Sequence, residues 1–166
     1  VDDVDCFQIA DSTDLLERVG KAFGHFQMQL ADYDAGELRE TIPNFHNTPS
    51  RYNDLMKAIE ENKAGRAASV AAEIEFVTQR KEFTETLVKA NEKGEIPLRV
   101  THNDTKLNNV LFDKETNKGL CVVDLDTVMP GSALYDFGDS IRFGANTAAE
   151  DEKDLSKVTL SLEYFK

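Results

Sequence analysis

Three short apolar runs, Leu98–Thr101, Val110–Phe112 and Leu120–Val123, interrupt a chain whose other apolar residues recur at helical spacing. Runs this short, bounded by Gly, Asn and Asp, read as strands rather than helices. Asp113–Gly119, a turn-rich linker ending in Gly, joins the last two runs and predicts an antiparallel hairpin. Upstream, Asp11, Ser12 and Thr13 are N-cap candidates before Leu15, Leu16, Val19, Phe23, Phe26 and Leu30, a helical stripe. Gly20 and Gly24 on that stripe predict a close helix contact. Pro43 and Pro49 mark Glu40–Ser50 as an ordered connector carrying a surface histidine, His46. A short helix is expected over 51–62 and a longer one over 67–92, ended by Gly94. Further helices are expected over 134–143 and from 150 to the end, where Leu155, Val158, Leu162 and Phe165 keep helical spacing. The expected fold class is therefore α+β, mainly α-helical, with a small β-hairpin, as a single domain over residues 1–166.

A length of 166 residues suits one domain with a real core. The formal net charge of −12 argues against nucleic acid or an anionic membrane as partner, because phosphate surfaces call for clustered Lys and Arg. It does not exclude a nucleotide, since Mg²⁺ bridges carboxylates to phosphates. The two cysteines, Cys6 and Cys121, form no CxxC, and Cys121 within Leu120–Val123 is expected to be a small buried thiol. No apolar stretch of about 18 residues is present, and the acidic start Val1–Asp5 is unlike a signal peptide. The expected location is cytoplasmic. The missing initiator methionine and a last helix running into the terminus predict a trimmed chain.

The stretch that carries chemistry is His102-Asn103-Asp104-Thr105-Lys106-Leu107-Asn108-Asn109, an H-x-D-x-K-x-x-N pattern. In the kinase catalytic loop an Asp acts as base and an Asn five residues later holds a metal; Asp104 and Asn109 have that spacing. Asp104 can accept the proton of an attacking hydroxyl, and Asn109 offers Mg²⁺ a neutral oxygen. Lys106 can neutralise charge on a transferring phosphoryl group, and His102 is expected to brace the loop. A hairpin with Asn109 just before its first strand and Asp124 just after its second brings those positions to one end. Asp124 is thus the main expected Mg²⁺ ligand, with Asp126 as the alternative. Lys106, Asn109 and Asp124 together form the expected face for Mg-ATP. Asp136-Phe137-Gly138 also spells D-F-G, but it opens a helix instead of following a paired strand. Asp136 is read as structural, capping that helix or bracing the loop. Asp139 and Arg142 are expected to form a surface ion pair.

At these residues the chain resembles the aminoglycoside phosphotransferase and choline kinase family, which is similar in H-[GN]-D-x-x-x-x-N, a strand ending in [VI]-D and a later Y-D. The matching residues are His102-Asn103-Asp104, Asn109, Val123-Asp124 and Tyr135-Asp136. Within that family, Thr101–Asn109, Asp124–Gly131, Tyr135–Ser140 and Glu40–Asn47 look most like the kinases that phosphorylate N-acetylhexosamines. The resemblance implies a protein-kinase-like C-terminal lobe that transfers the γ-phosphoryl group of ATP, with Mg²⁺, to a sugar hydroxyl. It further implies that the N-terminal ATP-binding lobe is absent and the C-terminal helices truncated, since no Gly-rich strand-turn-strand or strand-borne Lys is present. Such a fragment is expected to be inactive alone and to self-associate through uncovered apolar surface. Other acceptors in the family are choline, homoserine, aminoglycosides and other sugars. Readings from other classes are a pseudokinase-like binding module and a phosphohydrolase with Asp124 as nucleophile.

Overall fold

The computed structural model describes residues 3–165. Val1 and Asp2 of the acidic start, and Lys166 at the end of the expected last helix, lie outside the described residues. The chain divides into two compact units, one of residues 1–41 and 98–166 and the other of residues 42–97. The sequence alone suggests a single domain; the division arises because residues 42–97 leave and rejoin the first unit as an insertion.

The first unit is built on one long helix and two small sheets. Helix α1 (Thr13–Gln29) begins at Ser12, whose hydroxyl accepts from the Leu15 amide at 3.3 Å. Leu15, Val19 and Phe23 on its inner face are buried against Leu107, Val110 and Phe112. The strands are β1 (Val4–Asp5), β2 (Arg99–Thr101), β3 (Val110–Asp113), β4 (Gly119–Val122) and β5 (Met129–Gly131). Strands β3 and β4 form the expected antiparallel hairpin, with a bulge between Leu111 and Phe112. Asp113 closes its turn by accepting from the Thr116 amide and hydroxyl, each at 2.7 Å.

Two strands lie where none is expected. β1 pairs with β3, giving the order β1-β3-β4, and β5 pairs antiparallel with β2. Both are stretches of two or three residues whose only strand signal is a partner distant in sequence. Cys121 is exposed, contrary to the expectation of a buried thiol. β4 is the end strand of its sheet, and most of its residues are exposed even though α1 runs beside it, so a short apolar run there is not a core strand.

Helix α6 (Ala133–Gly144) starts at Ser132, whose hydroxyl accepts from the Leu134 amide. Gly20 and Gly24 make no close helix contact: a Cβ at either would meet no atom within 4 Å. They line an open groove of about 290 Å³ between α1 and α6. The C-terminal stretch is not the long helix its spacing suggests. It contains a 3-10 turn at Leu155–Lys157, a bridge between Asn146 and Leu160, and a short helix α7 (Leu162–Phe165). Thr147 explains the change: its amide donates to the Thr159 carbonyl at 3.0 Å, while its own hydroxyl accepts from the Thr159 amide at 3.2 Å. The β-branched run Val158-Thr159 is thereby held extended.

The second unit is helical. Helix α2 (Thr48–Glu61) starts earlier than expected, because Pro49 sits in its first turn, where no amide is needed, and Asn47 caps it. The expected helix over 67–92 is three helices, α3 (Ala71–Thr78), α4 (Lys81–Thr84) and α5 (Thr86–Glu92), after a 3-10 turn at Ala67–Val70. Thr78 and Thr84 end their segments by turning their hydroxyls onto the Ile74 and Lys81 carbonyls. Gly94 adopts φ 72°, and the amides of Gly94 and Glu95 return to the Asn91 and Ala90 carbonyls, the Schellman closure expected of it. In the connector, the Phe45 and His46 rings meet edge to face at 4.8 Å. Among the described residues no helix is long and apolar enough to cross a membrane.

Candidate phosphoryl-transfer site

The loop between β2 and β3 is held from inside by Asp136. Its Oδ1 accepts from the Asn103 amide at 2.7 Å, and its Oδ2 from the His102 amide at 3.0 Å and Gln27 Nε2 at 2.8 Å. Its carbonyl accepts from the Thr105 hydroxyl at 2.6 Å. Asp136 is buried at the start of α6 and anchors that helix to the loop, joined by the Ser140 hydroxyl, which donates to the Thr105 carbonyl at 3.3 Å. This geometry is that of a brace.

Asn103 adopts φ 67°, a left-handed conformation that Asn and Gly tolerate better than most residues. Its side chain is buried, accepting from the Thr101 hydroxyl and donating to the Thr101 and Thr127 carbonyls. Gly131 on β5 lies against this knot. A Cβ there would collide with Thr101 Oγ1 and come within 3.0 Å of Asn103 Oδ1. The loop therefore needs φ > 0 in the middle of His102-Asn103-Asp104 and no side chain at 131.

His102 is fully buried, with Phe23 and Phe26 edge-on at ring separations of 5.3 and 5.7 Å. Its Nδ1 accepts from the Asp104 amide at 3.3 Å, which assigns the proton to Nε2; Nε2 then donates to the Val123 carbonyl at 2.9 Å. The ring thus ties Asp104 to the residue before Asp124, and the Thr127 hydroxyl completes the tie by donating to the His102 carbonyl at 2.7 Å.

Asp104 is half-buried, with a partner on each oxygen. Asn109 Nδ2 donates to Oδ2 at 3.0 Å and to the Asp104 carbonyl at 2.8 Å, while Lys106 Nζ lies 3.4 Å from Oδ1. Burial opposes the charge on Lys106, but Asp104, Glu150 and Asp139 outweigh it and hold its pKa above the ordinary lysine value. With Nδ2 committed to Asp104, Asn109 retains Oδ1 as a neutral oxygen able to ligate a cation. The Asn109 carbonyl accepts from the Val123 amide at 2.9 Å, so the end of the hairpin joins Asn109 to the residue before Asp124. Asp124 is exposed, adopts φ 61°, and does not cap the 3-10 turn Leu125–Thr127 that follows it. Asp126, within that turn, is also exposed.

Among the described residues no three His, Cys, Asp or Glu side chains gather into a metal-binding group. Asn109 with Asp124 is a smaller set, and its chemistry suits Mg²⁺, which takes oxygen donors, keeps several waters and uses one or two carboxylates beside substrate phosphates.

Asp139 and Arg142 form their expected ion pair at 2.9 Å, but it continues inward: Arg142 also meets Glu150 at 3.3 Å, and Glu150 meets Lys106 at 3.7 Å. Sequence reasoning missed Glu150, Thr105, Thr127 and Gln27. Thr105 lies inside the motif, so its position could have flagged it; the other three have no local signal, because only the fold brings them near.

A family model described as the phosphotransferase enzyme family matches residues 8–157. The match covers most of the chain and includes the whole loop, the hairpin and α6, as well as Glu150. On that match, the chain belongs to the phosphotransferase enzyme family.

Proposed function

We propose that this chain carries the catalytic loop of a Mg-ATP-dependent kinase that phosphorylates a small-molecule hydroxyl, namely the anomeric hydroxyl of GlcNAc or GalNAc. The observation that carries the reading is the setting of Asp104, a half-buried carboxylate held between Asn109 Nδ2 at 3.0 Å and Lys106 Nζ at 3.4 Å. A general base needs a fixed position within reach of the proton it takes, and phosphoryl transfer depends mainly on positioning and charge neutralisation. Asp104 orients the acceptor hydroxyl and takes its proton. Lys106 offers positive charge to the transferring group. Asn109 Oδ1 and Asp124 would hold Mg²⁺, with Asp126 as an outer partner. When bound, the metal offsets negative charge on the nucleotide phosphates. His102 and Asp136 keep the loop in place and touch no substrate.

The sugar rests on likeness in sequence to N-acetylhexosamine 1-kinase over Thr101–Asn109, Asp124–Gly131, Tyr135–Ser140 and Glu40–Asn47. In this reading residues 1–166 serve as the lobe carrying the catalytic loop, and the loop and lysine that cover the ATP phosphates are supplied elsewhere in the protein. The test is to incubate the intact protein with Mg-ATP and a panel of GlcNAc, GalNAc, choline, homoserine and an aminoglycoside, following ADP release. Release with the N-acetylhexosamines, and a product phosphorylated at the anomeric position, supports the proposal. Release with another acceptor alone would keep the kinase and reject the sugar.

A further inference from the structure

Lys106 lies between two carboxylates from different parts of the chain. Asp104 Oδ1 is 3.4 Å from its Nζ and Glu150 Oε2 is 3.7 Å away. Glu150 lies beyond the end of α6 and belongs to none of the motifs. Its other oxygen is 3.3 Å from Arg142 Nη1, and Arg142 Nη2 is 2.9 Å from Asp139 Oδ1. Charge therefore alternates from Asp104 through Lys106, Glu150 and Arg142 to Asp139. The last two lie on α6, which Asp136 ties to the same loop. With Asp104 as its only partner, the ammonium would settle on the oxygen that must receive a proton. A second carboxylate draws it aside and restricts a long, flexible side chain. An ammonium has three N–H donors, so two carboxylates leave one for a phosphoryl oxygen.

We propose that Glu150 is a positioning residue for phosphoryl transfer, holding Lys106 Nζ beside Asp104 so that the ammonium meets the transferring group already oriented. The inference rests on the roles proposed above for Asp104 and Lys106.

The test compares the wild-type protein with Glu150→Gln and Glu150→Asp. The first readout is the NMR order parameter of the ¹⁵N-labelled Lys106 ammonium; the second is the split between kcat and the KM for ATP. Glu150 is exposed, so both variants should fold. Glu150→Gln is expected to loosen the ammonium and lower kcat several-fold with the KM for ATP unchanged, and Glu150→Asp to recover part of both. An ammonium equally ordered in Glu150→Gln, or a looser one with kcat unchanged, would overturn the inference. Asp104→Asn run alongside separates the two failures. If it leaves turnover intact the base assignment falls, whereas the order parameter in Glu150→Gln reports on Glu150 regardless of what Asp104 does.

Discussion

Asp136 and Asp124 are the same residue type in opposite circumstances. Asp136 is buried, and both its carboxylate oxygens accept from backbone amides of the loop. Asp124 is exposed in a left-handed conformation at the end of the hairpin. Asp136→Asn replaces one acceptor oxygen with an NH₂ facing an amide, so it should cost about 1–3 kcal/mol of stability. Asp124→Asn changes charge and not conformation, because Asn tolerates the left-handed region as well as Asp. It should leave stability within about 0.5 kcal/mol while abolishing Mg-dependent turnover. Urea unfolding paired with an Mg²⁺ titration of activity checks both. An active Asp124→Asn beside a stable, inactive Asp136→Asn would reverse the assignment. At this scale the motif made Asp104, Lys106 and Asn109 legible, since their spacing lies within one loop. Glu150, Gln27 and Thr127 were not legible, because each reaches the loop only through tertiary packing.

Elements with a local cause were the ones sequence could predict. α1 has its Ser12 cap and apolar stripe, α6 has its Ser132 start, and the hairpin has its turn. β1 and β5 are defined by distant partners, and the C-terminal segment takes its path from the Thr147–Thr159 pairing rather than its helical spacing. Two glycines give contrasting predictions. Gly131→Ala places a methyl against Thr101 Oγ1 and should destabilise by about 1–3 kcal/mol. Gly20→Ala, in α1 with nothing within 4 Å, should stabilise by about 0.5–1 kcal/mol through helix propensity. Chemical denaturation of both variants measures the difference, and equal effects would mean that the β5 contact is misplaced. The hairpin turn has a pH dependence of its own. Hydrogen bonds from the Thr116 hydroxyl and amide hold the Asp113 pKa below the ordinary carboxylate value. A lowered folded pKa means the contribution is present above the unfolded pKa, about 3.9, and is lost as pH falls through the folded value. Protection of the Thr116 amide, its exchange rate relative to that of an unstructured chain at the same pH, should therefore be lost only on the acid side of that range, and Asp113→Asn should remove the dependence. An unchanged acid-side loss of protection in Asp113→Asn would contradict it.

At the scale of the molecule, every residue assigned to the site belongs to the unit of residues 1–41 and 98–166. The loop, the hairpin end and α6 are joined there by His102 and Asp136, so Asp104, Lys106, Asn109 and Asp124, the residues proposed as base, cation and metal ligands, belong to one unit. That division into units was not legible, because the helical spacing of residues 42–97 matches that of α1 and α6 and carries no mark of a separate unit. The formal net charge of −12 opposes binding of a polyanion, so in the proposed function Lys106 and the metal would supply the local positive charge that phosphate binding requires. The role proposed for Asp104 is that of base in a phosphoryl transfer. ³¹P NMR of the intact protein with Mg-ATP and GlcNAc, wild type against Asp104→Asn, tests it. The predicted result is sugar 1-phosphate and ADP from the wild type, and a rate lower by about 10³-fold in Asp104→Asn, about 4 kcal/mol of transition-state stabilisation. An Asp104→Asn protein that makes the same product at the wild-type rate would contradict the account.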